Sequence, residues 1–398
     1  EKRRLMRALT MTTMPPTSIV LPTLTYHGTN SLDDHHTFGL QMGSSFANTI
    51  KARFADKKEE LDNLESLAKT HPALYSAFID LHESVFPEYM AEVRGISEGS
   101  GVSFDRTFLQ NIPLEFSDCT SESSRPPMIG VSCSDFMVCP ATSIEGSAAA
   151  CAVAHNEDNN LEDVNRTALV TGRFGDGPTF EAYTYLGELP SGAFAYNDAG
   201  IGFTLNWVGP SEPQCPGLGR GFLSRALLGA TTLDEAIAIA TDPRGAAGHN
   251  YQLMSWREST PIIVNVEAAP RGVHSVRPIG NAFFHANQYV TLNVPQVYGN
   301  SSVHRTARAV DLLPSIAASA ASPKQARAAM LAAIGDQEDQ QWPIFHDDVS
   351  HAAGDLSDWT VASAFFDLRA RSLTIYAGNP SNPNLGRMLV NRSLTMKA

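Results

Sequence analysis

The chain has 398 residues, of which 43% are hydrophobic and 18% charged, and its formal net charge is −13. This composition supports a large buried core and is unlike that of a disordered or coiled-coil chain. The negative balance argues against nucleic acid and anionic membrane surfaces as partners, and no run of about 18 apolar residues reads as a membrane span.

Residues 1–25, rich in Thr, Pro and Met, read as a flexible leader. The basic start Glu1-Lys2-Arg3-Arg4 lacks the apolar stretch of a signal peptide. The compartment therefore stays open: cytoplasmic, or secreted with a signal upstream. Residues 26–132 form a second segment, mostly helical over 36–110. Phe38, Met42, Phe46, Ile50 and Phe54 keep roughly helical spacing, as do Leu74, Phe78, Leu81 and Val85. Pro87 is expected in a connection, Tyr89–Ile96 continues helical, and Phe104, Phe108 and Leu109 suggest one more short helix. His35-His36 lies in a polar stretch and reads as a solvated turn or helix start. Ser117–Met128, serine-rich with adjacent prolines, reads as an exposed linker.

From residue 133 the pattern turns to strands. Phe136–Val138, Ala149–Ala154, Thr167–Val170, Phe180–Tyr185, Phe194–Tyr196 and Ile201–Trp207 are short β-branched or aromatic runs divided by Gly, Asp and Pro. A helix is predicted at Gly221–Ala230. Another follows Thr232, with Glu235 in the capping-box position. Strands return at Gln252–Trp256, Ile262–Val266 and Ala282–His285. Helices at Arg305–Leu313 and Pro323–Ile334 precede strands at Thr360–Asp367 and Ser372–Tyr376. Helices, then strands, then helices, then strands is an α+β order, with helices covering antiparallel sheets. Neither a P-loop nor a dinucleotide fingerprint follows a strand.

The five cysteines are too few for a disulfide scaffold, and an odd number leaves one thiol free if the others pair. Cys133, in Gly130-Val131-Ser132-Cys133-Ser134, leads the strand series. A cysteine there can cut the chain before itself and become a new N-terminus. The α-amine so released has a pKa of roughly 7.7–8, well suited to a general base at neutral pH. Thiol and amine then form a nucleophile–base pair within one residue. The plainer reading is a buried or disulfide-bonded cysteine.

Asp158, in His155-Asn156-Glu157-Asp158, closes the second strand, and the hairpin returns it toward Cys133. It is a candidate to hold the α-amine; otherwise it is a turn residue. Asn206, ending the strand before Trp207, and Asn287, in His285-Ala286-Asn287-Gln288-Tyr289, are candidate oxyanion donors. Each also reads as a strand cap, and His285 as a core histidine. His285, Asn156, Trp207 and Tyr289 are the candidate substrate contacts. No metal or cofactor is expected.

These stretches resemble the cysteine N-terminal-nucleophile hydrolases of the isopenicillin-N acyltransferase (acyl-CoA:6-aminopenicillanate acyltransferase) family, and within it members of the N-β-alanyl-dopamine hydrolase type. Further matching stretches are Phe38-Gly39-Leu40-Gln41-Met42-Gly43, Phe86-Pro87-Glu88-Tyr89 with Arg94-Gly95-Ile96, Asn197-Asp198-Ala199-Gly200, Phe222–Leu228 and Asn265-Val266-Glu267. The resemblance implies a four-layer αββα sandwich and cleavage between Ser132 and Cys133, giving a heterodimer of 1–132 and a catalytic segment 133–398. It also implies Cys133 as nucleophile, Asp158 beside the amine, and Asn287 and Asn206 at the oxyanion. Two departures stand out. Ser132 replaces the family's usual Gly before the cut. No arginine occupies Leu356–Thr360, where the family's late arginine is sought, which leaves Asp358 or Thr360 as substitutes.

The function expected is hydrolysis of a small acyl-amine amide through a thioester. Acyl-CoA-dependent N-acyl transfer is the same chemistry with another acceptor. A non-catalytic scaffold would leave the chain intact. A papain-like site lacks its Cys-Gly-Ser-Cys-Trp motif and its helix after the cysteine.

Overall fold

The computed structural model describes residues 20–120, 133–140, 149–190, 192–297, 299–384 and 386–397. Residues 1–19 of the expected leader, residues 121–128 of the expected linker and the stretch 129–132 that ends in Ser132 lie outside the described residues.

The N-terminal half is a succession of helices: α1 (Leu32–Ser45), α2 (Ala47–Asp56), α3 (Lys58–Thr70), α4 (Pro72–Val85), α5 (Pro87–Ser100), α6 (Phe104–Gln110) and α7 (Pro113–Thr120). Ser31 caps α1 by accepting from the Asp34 amide, and Asp33 and Asp34 complement the positive helix end. Pro87 opens α5 rather than lying in a connection, because a first-turn proline gives up no helical hydrogen bond. Gly101, at φ 70°, takes the left-handed conformation that ends α5.

Helices α1 and α5 cross almost backbone to backbone. A Cβ on Gly39 would stand 2.0 Å from the Glu92 carbonyl oxygen, and one on Gly95 would stand 2.2 Å from that of His36. The approach brings Glu92 of α5 into a buried network. It meets His35 Nδ1 at 2.6 Å and Arg225 Nε at 2.9 Å. His35 is thus buried and stacked 3.9 Å from the Phe174 ring, not solvated as its polar neighbours suggest. The glycine spacing aligns the backbones, and burial of the pair follows.

Two sheets follow. One is eight-stranded, in the order β1-β4-β5-β6-β7-β8-β9-β10; the other is six-stranded, β11-β2-β3-β12-β13-β14. The first contains β1 (Thr23–Gly28), β4 (Thr167–Phe174), β5 (Phe180–Tyr185), β6 (Phe194–Asn197), β7 (Ile201–Val208), β8 (Gly248–Ser255), β9 (Ile262–Ala269) and β10 (Val273–Pro278). The second contains β2 (Ser134–Val138), β3 (Ala152–Asn159), β11 (Phe283–His285), β12 (Trp359–Asp367), β13 (Ser372–Ala377) and β14 (Arg387–Ser393). Pairing is antiparallel except between β1 and β4.

Helices α8 (Arg220–Leu227) and α9 (Leu233–Ala240) join α1–α7 on the outer face of the eight-stranded sheet, in a core holding Phe38, Phe108, Phe203, Phe222 and Leu253. A second core lies between the sheets, with Met137, Val153, Phe194, Trp256 and Phe366. A third packs α10 (Asn300–Ser319) and α11 (Pro323–Ile334) against the outer face of the six-stranded sheet through Phe136, Ala154, Ile316 and Met330. Three cores between four layers define an αββα sandwich, of the α+β class expected.

The element boundaries differ in three places. The expected leader already enters β1 at Thr23, because its Thr/Leu alternation pairs with β4. The linker's first residues belong to α7, which Cys119 anchors by a disulfide to Cys215. Strands β10 and β14 and helix α12 (Asp348–Ala353) carry too few periodic apolar residues to be read from the sequence. A second disulfide, Cys139–Cys151, closes the β2–β3 hairpin and leaves Cys133 as the free cysteine.

Gly39→Ala should lower unfolding stability by about 1–3 kcal/mol, the usual cost of overpacking a rigid contact. A urea titration checks this; an unchanged midpoint would mean that the helices separate freely.

Candidate active site

The β2–β3 hairpin sets the site. Its register pairs Ser134 with Asn156 and Asp135 with His155. Side chains alternate between faces, so odd-numbered residues point one way and even-numbered ones the other. Met137 and Val153 enter the core between the sheets, and Asp135 Oδ1 accepts from Thr204 Oγ1 of β7 at 2.8 Å. His155 and Glu157 share that face. Phe136 and Ala154 enter the opposite core, and Asn156 Nδ2 donates to the Ile334 carbonyl at the end of α11.

Cys133, immediately before β2, is buried, its Sγ 3.8 Å from Glu157 Oε2 and 3.9 Å from the Asp158 carbonyl oxygen. Burial first, then the Glu157 and Asp158 carboxylates, holds the thiol well above its ordinary range. Glu157 is fixed by Tyr185, whose hydroxyl donates to Oε1 at 2.6 Å, and by His155 Nε2, 3.1 Å from Oε2. His155 Nδ1 lies 3.1 Å from Asp135 Oδ1. Burial pulls the His155 pKa down, but Asp135 and then Glu157 outweigh it and push it up to about 10. The ring is an imidazolium donating to both carboxylates. The donor atoms of Cys133, His155 and Glu157 lie within 4.8 Å of one another, a spacing compatible with a cation. Both imidazole nitrogens and both Glu157 oxygens are already hydrogen-bonded, so the cluster is an internal ion-paired network.

On the other face, Asp158 Oδ1 accepts from Thr360 Oγ1 at 2.6 Å. Its Oδ2 has no hydrogen-bond partner and faces His346 Nε2 at 3.8 Å. Burial pushes the Asp158 pKa up to about 6, against the pull of His346 and Arg305. Arg305 of α10, fully buried, ties the faces together. Its Nη1 donates to the Cys133 carbonyl at 2.6 Å and to Ser134 Oγ at 2.7 Å, and its Nη2 to Asn287 Oδ1 at 2.9 Å. Asn287 Nδ2 donates to the Trp207 carbonyl at 3.0 Å, which leaves one amide N–H uncommitted.

A cavity of about 310 Å³ opens beside Cys133 and Glu157. Its lining includes Tyr185, Leu205 and Trp207 from the eight-stranded sheet and Gln110, Glu115 and Arg220 from the helices. Glu60, Glu115, Glu157 and Glu188 place four carboxylates in its lining, against the cations Lys57 and Arg220.

Of the expected substrate contacts, Trp207 lines this cavity. The other three are not in its lining. Asn156 points by strand alternation to α11, with Ser363 Oγ donating to its Oδ1. His285 is held by Glu267 Oε1 at 2.9 Å, and Tyr289 donates to the Ala268 carbonyl. Asn206 faces the space between the sheets, near the Asn250 side chain and the His285 carbonyl, with its own Oδ1 unpartnered. The arginine sought at Leu356–Thr360 is absent there. Arg305 reaches the site instead, and Thr360 serves as a donor to Asp158. Sequence reasoning missed Arg305 and His346 as site residues. Neither sits in a distinctive motif, and Arg305 reads as an ordinary helical surface cation.

Residues 145–382 match the family model described as acyl-coenzyme A:6-aminopenicillanic acid acyl-transferase. The chain is 24% identical over 407 residues to the β-alanyl-dopamine/carcinine hydrolase of Drosophila melanogaster, covering 92% of this chain and 95% of that protein. A crystal structure of a variant conjugated bile acid hydrolase from Clostridium perfringens aligns over 68% of this chain and 93% of its own, at 10% identity. Its TM-score of 0.25 is too low to bear on the fold.

The His155 network predicts a pH dependence. Its folded pKa of about 10 lies above the ordinary value of 6.5. The stabilisation is therefore complete below the ordinary value and is lost as the pH rises toward 10. Thermal unfolding should show Tm falling across that window in the native protein, with a flatter profile in Asp135→Asn. Parallel profiles would remove His155 as the cause.

Proposed function

Because the chain belongs to the acyl-coenzyme A:6-aminopenicillanic acid acyl-transferase family and is an enzyme acting on amide C–N bonds, we propose that it is a self-processing amidohydrolase in which Cys133 is both the cleavage-site residue and the nucleophile. The observation that carries this reading is the free, buried thiol at the head of β2, with the unpartnered Asp158 Oδ2 on the adjoining strand. Cys133 Sγ attacks the Ser132 carbonyl, the acyl group moves from nitrogen to sulfur, and water cleaves the thioester. This releases the Ser132 carboxylate and the Cys133 α-amine. The amine supplies the base that the thiol otherwise lacks among carboxylates, and Asp158 receives the resulting ammonium.

In turnover the amine takes the thiol proton and the thiolate adds to the substrate amide carbon. The leaving amine departs with that proton, and water hydrolyses the thioester. Asn287, oriented by Arg305, is the proposed oxyanion donor, with Asn206 as a second. An amine acceptor in place of water would make the same intermediate an acyltransferase step.

The acidic cavity supports a substrate carrying a cation near the scissile bond, and the Drosophila relative is named for β-alanyl-dopamine and carcinine. We assign a β-alanyl-amine type of amide, whose terminal ammonium meets the Glu157 and Glu115 side of the cavity.

Cys133→Ala should remain a single chain without amidase activity. In the native protein a reducing gel should resolve pieces of 1–132 and 133–398. Without reductant they should run as one band, because Cys119–Cys215 spans the cut. Normal processing or turnover in Cys133→Ala would overturn the proposal. A β-alanyl amide should also exceed its N-acetylated, uncharged analogue in kcat/KM by about tenfold or more, as expected for an unreplaced ion pair; equal rates would remove the cationic substrate class.

A further inference from the structure

Two buried polar atoms face each other unpartnered across the site: Asp158 Oδ2 and His346 Nε2, 3.8 Å apart. The gap is too long for a hydrogen bond, and polar groups so buried are rarely left unpaired without a use. The imidazole is aimed. Its Nδ1 lies 2.9 Å from Asp355 Oδ2, which orients Nε2 at Asp158. Asp355 is itself fixed by Ser350 Oγ and the Ser357 amide, with His351 Nε2 3.9 Å away. One hydroxyl joins the unit to the strands: Thr360 Oγ1 accepts from the His346 amide at 2.9 Å and donates to Asp158 Oδ1 at 2.6 Å.

We propose that His346, held by Asp355, is a positioning residue for Asp158: it is the directed partner across the gap that holds this carboxylate in place and open to the Cys133 α-amine. The proposal rests on the reading of Cys133 as a released N-terminal nucleophile. Without such a partner a carboxylate this buried takes up a proton, and a neutral Asp158 cannot hold the ammonium that forms when the thiol ionises. The other charged groups facing Asp158 are Arg305 from α10, Glu157 on its own strand and Cys133; Asp355 and Asp358 face Arg305. Arg305 alone does not serve, because its donors are spent on Cys133, Ser134, Asn287, Ser301 and Ser302. The Asp355–His346 pair therefore supplies a directed partner where Arg305 supplies a diffuse charge.

Cys133 is the free cysteine, so its alkylation by iodoacetamide can be followed by mass spectrometry without a known substrate. The low-pH limb of the alkylation rate reads the ionisation that Asp158 must undergo. Removing the imidazole takes away a group that pulls the Asp158 pKa down, so in His346→Gln that limb should move upward by about half a pH unit or more. Asp355→Asn should move it in the same direction by less, and it serves as the test if His346→Gln does not fold. Mass measurement of the native protein comes first. If its chain is uncut before Cys133, the processing reading fails. If it is cut and the limb in a folded variant superimposes on the native one, the role of His346 fails alone.

Discussion

A guanidinium cannot be buried unless its donors are spent, and the surroundings of Arg305 follow from that requirement. Its five partners come from three parts of the chain: Cys133 and Ser134 at the head of β2, Asn287 after β11, and Ser301 and Ser302 on its own helix. No carboxylate pairs with it directly among the described residues, and burial holds its pKa below the ordinary arginine range. The charge is balanced across space by Asp158, Asp355 and Asp358. Removing it would uncouple the carbonyl of Cys133 from the side chain of Asn287, so the two ends of the proposed reaction centre share one anchor.

Strand alternation then separates two electrostatic environments that the hairpin holds side by side. Toward the eight-stranded sheet lies a chain of ion pairs, Asp135–His155–Glu157, tightened by Tyr185, with Asp135 Oδ2 left without a partner. Toward the outer helices lies an open one, Asp355–His346 facing Asp158, with two atoms left free. Cys133 sits between them. The first network fixes Glu157 in the lining of the cavity, whereas the second leaves Asp158 Oδ2 without a hydrogen bond, where the proposed α-amine of Cys133 would be received. The family membership and the amide chemistry fit this division, because a cysteine that gains its own amine needs an acceptor for that amine rather than a permanent histidine partner.

Much of the fold was legible. Helical spacing in Phe38–Phe54 and in Leu74–Val85, and the β-branched runs after Cys133, led to the right layers because both patterns answer to burial. Elements with little burial, such as β10 and β14, were not legible for the same reason. At the site, the motif residues Cys133, Asp158 and Asn287 were read as a set, whereas His285, Asn156 and Tyr289, read as substrate contacts, lie outside the lining of the cavity beside Cys133. Those three share a local pattern with true cavity residues, but pattern carries no information on which face of a strand meets the cavity once two sheets are stacked.

The amino-acid sequence by itself determined the α+β class, the cysteine that differs from the others, and the order of motifs that carries the family. Those features depend on residue type and short-range spacing. Only the tertiary structure decided that Arg305 and His346 join the site, that Cys119 and Cys215 bridge the two segments, and that Glu92, His35 and Arg225 form a buried network. Each joins residues far apart in the chain or on neighbouring helices. What pairs them is desolvation: a charge or thiol removed from water is satisfied by whatever the packed layers bring within reach, and that is set by how sheets and helices stack rather than by neighbours in sequence.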